Sequence, residues 1–146
     1  MRTPILVVSA VVLSLTGCKK APSPAQVALD GYIVAAAKAR IPPEGLASGA
    51  SLAGTTNGGE PVDGTVEQAH ENVGTFSWAR TKPVSETKLP NGDLRVEMIA
   101  DVCMRAEGES ADCTRPNTYS YTAIMRNEDG SWKIAGSAVK LVNSVR

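Results

Sequence analysis

Leu94, Val96, Met98, Ala100, Val102 and Met104 alternate with Arg95, Glu97, Ile99, Asp101, Cys103 and Arg105, and no other stretch limits the fold as tightly. A period of two is the signature of a β-strand. One face of this strand is apolar and the other mostly charged, as in a sheet covered on one side only. Pro90-Asn91-Gly92-Asp93, just ahead of it, is a strong turn. Before that turn, Phe76 and Trp78 alternate with polar neighbours, which predicts a strand over 74–87 with Pro83 marking an edge or a bulge. Tyr119, Tyr121, Ala123 and Met125 predict a third strand, and Asn127-Glu128-Asp129-Gly130 turns it back. Trp132 and Ile134 begin a fourth. After Gly136 the apolar residues shift phase to Val139 and Leu141, which predicts a β-bulge near Gly136.

A helix precedes the strands. Ser23 can cap it, Pro24 suits its first position, and Gln26 completes a capping box. Leu29, Ile33, Ala36, Ala37 and Ile41 follow at helical spacing, and Pro42-Pro43 ends the run. Gly31 weakens the helix by about 1 kcal/mol relative to alanine. Residues 45–64 are rich in Gly, Ser and Thr and have no hydrophobic period, so they are expected to form a loop. Residues 65–73 fit a short helix capped by Thr65. The predicted fold is α+β: one N-terminal helix packed on a four-stranded antiparallel meander.

The start of the chain has a different character. Arg2 is followed by an apolar run over 5–15. Eleven helical residues span roughly 16 Å, well short of the roughly 30 Å of a bilayer core. Such a run, ending in small residues, reads as a signal segment. Leu15-Thr16-Gly17-Cys18 resembles the lipobox of bacterial lipoproteins. That resemblance implies cleavage of residues 1–17, a lipidated Cys18 at the new N-terminus, and two or three acyl chains in the bilayer. More than one chain makes attachment effectively permanent. An ordinary secretory signal whose cleavage point merely precedes a cysteine is the alternative. Lys19 stands where inner-membrane lipoproteins of Gram-negative bacteria usually carry aspartate. For a Gram-negative source, the resemblance then implies the outer membrane, facing the periplasm. Residues 18–22 form the lipidated N-terminus and a short linker, and 23–146 a single domain.

The whole chain carries 15 basic and 15 acidic side chains. Loss of Arg2 with the signal segment leaves one negative charge in excess. No basic stripe tracks a phosphate backbone, so no nucleic-acid partner is expected. With Cys18 lipidated, Cys103 and Cys113 remain, and an oxidising periplasm favours a disulfide between them. A disulfide placed symmetrically across a hairpin centred on Gly108 would turn the tyrosines of the third strand toward the charged face of residues 94–104. Either a bulge near Pro116 corrects this, or the two faces are less cleanly divided than the alternation suggests.

Helix then meander is the element order of the cystatin-like and NTF2-like folds. The run Asp129-Gly130-Ser131-Trp132-Lys133-Ile134 resembles the closing hairpin common in NTF2-like domains, where the tryptophan enters the core. The additional helices that deepen the pocket of NTF2-like enzymes are not expected in this chain.

No catalytic set is legible, and no enzymatic activity is expected. His70 is the sole histidine, and no G-x-S-x-G elbow presents a serine. One histidine and two oxidised cysteines make no zinc site, and no phosphate-loop pattern occurs; no metal or cofactor is expected. Glu97 and Asp101 share a strand face but stand two pleats apart, roughly 13 Å by strand rise, beyond the roughly 5–10 Å of paired glycosidase carboxylates. Arg95, Glu97, Asp101, Arg105 and Arg126 read either as a solvated charged face or as a recognition surface, since alternating charge confers specificity and encounter rate. The expectation is a tethered, non-enzymatic domain that binds another periplasmic protein. An immunity or inhibitor protein against a periplasmic toxin fits, and so does a subunit of an envelope complex. The alternative is a small-ligand or enzymatic pocket between the helix and the sheet.

Overall fold

The computed structural model describes residues 20–38, 45–57, 60–61, 75–105 and 116–143. One helix, α1 (Pro24–Ala37), lies on a sheet of six strands: β1 (Leu46–Asn57), β2 (Glu60–Pro61), β3 (Thr75–Lys88), β4 (Leu94–Arg105), β5 (Asn117–Glu128) and β6 (Ser131–Asn143). The capping box forms as the sequence predicts. Gln26 N donates to Ser23 Oγ at 3.2 Å, and Ser23 N donates to Gln26 Oε1 at 3.0 Å. Pro24 occupies the first turn, where its missing N–H has no intrahelical acceptor to lose. The expected continuation to Ile41 lies outside the described residues.

α1 buries Ala25, Leu29, Tyr32, Ile33, Ala36 and Ala37, the three-four spacing of one helix face. That face meets Val96, Met98, Ala100 and Val102 of β4, Tyr119, Tyr121, Ala123 and Met125 of β5, and Ile134 and Val139 of β6. Leu29, Ile33, Tyr121 and Met125 are wholly buried. Four small alanines on α1 let the helix approach the sheet closely.

Strands β3 to β6 form the antiparallel meander that the alternation predicts. The sheet is not confined to it. Its order is β2-β1-β6-β5-β4-β3, and β1 pairs with β6 in parallel. The sheet is therefore mixed, with five long strands and the two-residue β2 at one edge. Much of the expected loop 45–64 is this strand. The segment hides its nature because its pairing serves the free edge of β6 through the backbone rather than through an apolar stripe. Its register with β6 slips twice, and Gly49 sits at φ +70°, so no period of two survives. The expected helix over 65–73 lies outside the described residues.

Two local devices set the registers. Asp129 and Gly130 both have positive φ, 53° and 85°, as a tight two-residue hairpin turn requires. Gly130 N donates to Asn127 Oδ1 at 3.0 Å. In β6, Ile124 pairs with Gly136 but Met125 pairs with Ile134, leaving Ala135 as the extra residue of a bulge. This is the predicted slip at Gly136, and it lets both Ile134 and Val139 face the core.

The conflict over the tyrosines also resolves. Tyr121 pairs with Met98 and Tyr119 with Ala100, so both tyrosines share the apolar face of β4. A hairpin centred on Gly108 would have paired Tyr121 with Arg95. The observed register instead sets Val102 opposite Asn117, and the core face of β4 and β5 is uniformly apolar.

Candidate functional site

The face of the sheet opposite α1 carries no covering layer among the described residues. Odd-numbered residues of β4 point to it, and strand register extends the pattern sideways. Ser85 and Thr122 flank Glu97, Arg80 and Thr118 flank Asp101, and Lys82 and Ser120 flank Ile99. Short hydroxylated side chains on β5 keep this face low and polar.

The structure brings Arg95, Glu97, Asp101, Arg105 and Arg126 to this one face, and largely occupies them with local partners. Arg95 Nη2 lies 3.3 Å from Glu97 Oε1, and Ser85 Oγ donates to Glu97 Oε2 at 2.6 Å. Thr118 Oγ1 donates to Asp101 Oδ1 at 2.7 Å. Arg105 buries its Nε without an acceptor among the described residues. Arg126 is a structural clamp: its Nε and Nη2 donate to the two oxygens of Asp93 at 3.2 and 2.9 Å. Asp93, only 6% exposed, also takes a hydrogen bond from Asn91 Nδ2 and so ties the 90–93 turn to β5. The hydrogen bonds from Arg126 are the main reason the Asp93 carboxyl is held below its ordinary range, against the opposing effect of desolvation.

Sequence reasoning missed other members of this face. Trp78, which simple alternation would set on the same face as Phe76, lies on the open side beside Cys103. Arg80 stacks on it, its guanidinium carbon 4.5 Å from the ring centroid. Lys82 and Lys140 are exposed on the same face. The alternation in β3 that would have placed them is interrupted by bulges at Ser77 and Val84.

A second feature lies on the helix side. A cleft of about 660 Å³ opens between the N-terminal half of α1 and β3, floored by Met98 and walled by Pro22, Val27 and Pro83. Asp30 and Glu86 line it, and each carboxylate accepts from a hydroxyl: Thr81 Oγ1 donates to Asp30 at 2.5 Å, and Ser23 Oγ donates to Glu86. No histidine or cysteine lines it. It lies at the margin of the domain, because the space between α1 and the sheet centre is filled by Leu29, Ile33, Met98 and Tyr121.

Cys103 is wholly buried and disulfide-bonded. Cys18, Cys113 and His70 lie outside the described residues. No cluster of three metal-ligating side chains occurs among the described residues, and none of their helices is long and apolar enough to cross a membrane.

No family model and no curated protein matches this chain. Six solved chains do. One is the crystal structure of an NTF2-like protein of unknown function from Shewanella baltica OS155, with a TM-score of 0.57 at 12% identity over 83% of this chain and 93% of that one. A helix laid across a mixed sheet, matched over nearly the whole of that chain, defines an α+β domain with the NTF2-like fold.

Proposed function

We propose that this NTF2-like domain is the periplasmic body of a lipoprotein, anchored through acylated Cys18 in the outer membrane, and that it binds another protein without catalysing a reaction. The observation that carries this reading is the pair of sheet faces: one is filled by α1, while the other has no covering element among the described residues and is patterned with opposite charges held in fixed positions. Preset ion pairs and hydroxyls on a rigid sheet suit recognition by a complementary surface. The lipobox-like Leu15-Thr16-Gly17-Cys18 supports the anchor. Lys20 lies only four residues before α1, so the domain stands close to the leaflet. An immunity protein facing a hydrolytic toxin and a subunit of an envelope assembly both fit.

The test is photo-crosslinking in cells, with a crosslinking residue placed at Thr122 on the open face or at Val27 on α1. A discrete protein adduct from position 122 and none from 27 is expected. An adduct from 27 alone, or none from either, overturns the reading. Cys18→Ser is expected to move the protein from the membrane to the soluble fraction.

The cleft favours a second reading, a small-ligand pocket. Its mixed lining and two carboxylates would suit an amine with an apolar body. Adducts that require position 27 would favour it.

A further inference from the structure

Resting on the open face as the binding surface, we propose that the partner is an acidic protein surface and that Trp78, Arg80, Lys82 and Lys140 are its principal contacts.

Several charges on the face are already neutralised. Arg95, Arg126 and Lys133 each pair with a carboxylate, from Glu97, Asp93 and Glu128 respectively. Those pairs leave little field for a partner. Asp101 accepts from the Thr118 hydroxyl but keeps its negative charge, opposite Arg80 in the register. Among the described residues, Arg80, Lys82 and Lys140 have no carboxylate within ion-pair reach. Among the described residues these three cations outnumber the one carboxylate of the face outside an ion pair, Asp101, so the face carries an excess of positive charge, although the whole chain has as many acidic as basic side chains.

Register fixes where that charge lies. Lys82 pairs with Ile99, Ile99 with Ser120, and Ser120 with Lys140, a single row across four strands. Adjacent strands are about 4.8 Å apart, so the two lysines bracket roughly 14 Å of sheet. Arg80 stands one pleat along from Lys82, held over the Trp78 ring. Trp and Arg dominate interface energetics where an aromatic anchor is set within polar ground. Here the anchor is preorganised: the ring orients the guanidinium before any partner arrives, so less side-chain freedom is lost on docking. Ile99 lies between the lysines as the apolar floor of the row.

A lipid headgroup layer is the other large anionic surface near such a protein, and position argues against it. Lys20 lines the helix-side cleft with Gln26 and Asp30, on the layer opposite this face. A domain tethered just ahead of Lys20 turns its open face away from the leaflet.

The test uses the full-length chain in mild detergent, a fluorescent deca-glutamate peptide as probe, and separately vesicles of phosphatidylglycerol and phosphatidylethanolamine. Polarisation is expected to show peptide binding that weakens at least about tenfold as salt rises from about 0.01 to about 0.15 M, over which the Debye length falls from about 30 to about 8 Å. R80E/K82E/K140E, all at exposed positions, is expected to lose binding by a further tenfold or more with an unchanged circular dichroism spectrum. K20E/K88E on the helix side is expected to retain it. Loss with R95E/R126E but not with the triple variant would keep the open face and overturn this placement. Loss with K20E/K88E alone would overturn the open-face reading too. Absence of peptide binding, or binding to the vesicles in preference, would overturn the acidic-protein partner.

Discussion

Phe76 and Trp78 stand on opposite faces of the sheet, although a single residue separates them. Phe76 pairs with Met104 and Trp78 with Cys103, adjacent residues of β4, and Ser77 is the extra residue between. Phe76 packs against the core, with Lys38 Nζ 5.4 Å above its ring. Trp78 lies outside that core cluster and stacks with Arg80, a kind of contact that contributes about 0.5–1 kcal/mol at exposed sites. The smaller aromatic therefore carries more stability. Phe76→Ala should cost about 2 kcal/mol as a partly buried core truncation, and Trp78→Ala less than about 1 kcal/mol. Urea denaturation checks the order, and a larger loss for Trp78 would place its ring in the core after all.

The same bulge marks the limit of what the chain discloses about itself. Where apolar and polar residues alternate without interruption, as over β4, face and register follow from side-chain direction alone. At Ser77 and Val84 an unpaired residue inverts that direction. Nothing in the local sequence reports the break at Ser77, whereas Pro83 marks the one at Val84, and Ile134 and Val139 on either side of Gly136 reveal the phase change in β6. β1 was illegible for another reason. It joins the sheet through backbone hydrogen bonds to β6, while a glycine at positive φ and two register slips erase its pattern. The candidate pentad was legible as a face but not as a charge distribution, because Asp93 and Glu128, which neutralise Arg126 and Lys133, come from the turn before β4 and the end of β5 rather than from the alternating run.

The Asp93–Arg126 clamp gives a pH dependence with a defined sign. The folded-state pKa of Asp93 is depressed, chiefly by the hydrogen bonds from Arg126. A depressed carboxylate contributes stability above its unfolded value, about 3.9, and that contribution is lost as pH falls through the folded value. Asp93→Asn should melt at a lower temperature than the wild-type chain at pH 7. The two melting curves should converge as the pH drops below the ordinary carboxylate range. A gap that stays constant with pH would mean that the clamp acts through packing rather than charge.

Gly136 holds β1 in place. A Cβ built there would lie 3.3 Å from the Ser51 carbonyl oxygen, within the parallel pairing of β1 and β6. Valine adds two further methyls to that contact and, unlike a flexible side chain, cannot rotate them away. Gly136→Val should release β1 while leaving the meander intact. Hydrogen exchange would show this as lost amide protection over 46–56 with protection of β4 and β5 retained. Uniform loss across the sheet would mean instead that β1 and the meander unfold as one unit.

Gly130 offers a milder test of the hairpin. At φ +85° any L side chain is strained, so Gly130→Ala should cost about 1 kcal/mol. Asp129, at φ +53°, already bears such a conformation, and Asp129→Gly should leave stability within about 0.5 kcal/mol of wild type. Thermal melts of the two variants check the asymmetry between adjacent turn residues.

The cysteines allow the tether and the domain to be tested separately. Cys103 is disulfide-bonded and wholly buried on the otherwise polar face of β4. If Cys18 is acylated, as proposed, Cys113 is the partner the sequence leaves. Closing a loop of about ten residues contributes roughly 2–3 kcal/mol in the chain-entropy picture. Denatured, unreduced wild-type protein should then present no thiol to a maleimide reagent. Cys113→Ser should present one, reactive only after denaturation because Cys103 is buried, and should lose the roughly 2–3 kcal/mol that reductant removes from the wild type. Cys18→Ser should change neither labelling nor stability, only partitioning into the membrane. If Cys18→Ser frees a thiol on Cys103 instead, the bond runs to the N-terminus, and the lipid anchor falls with it.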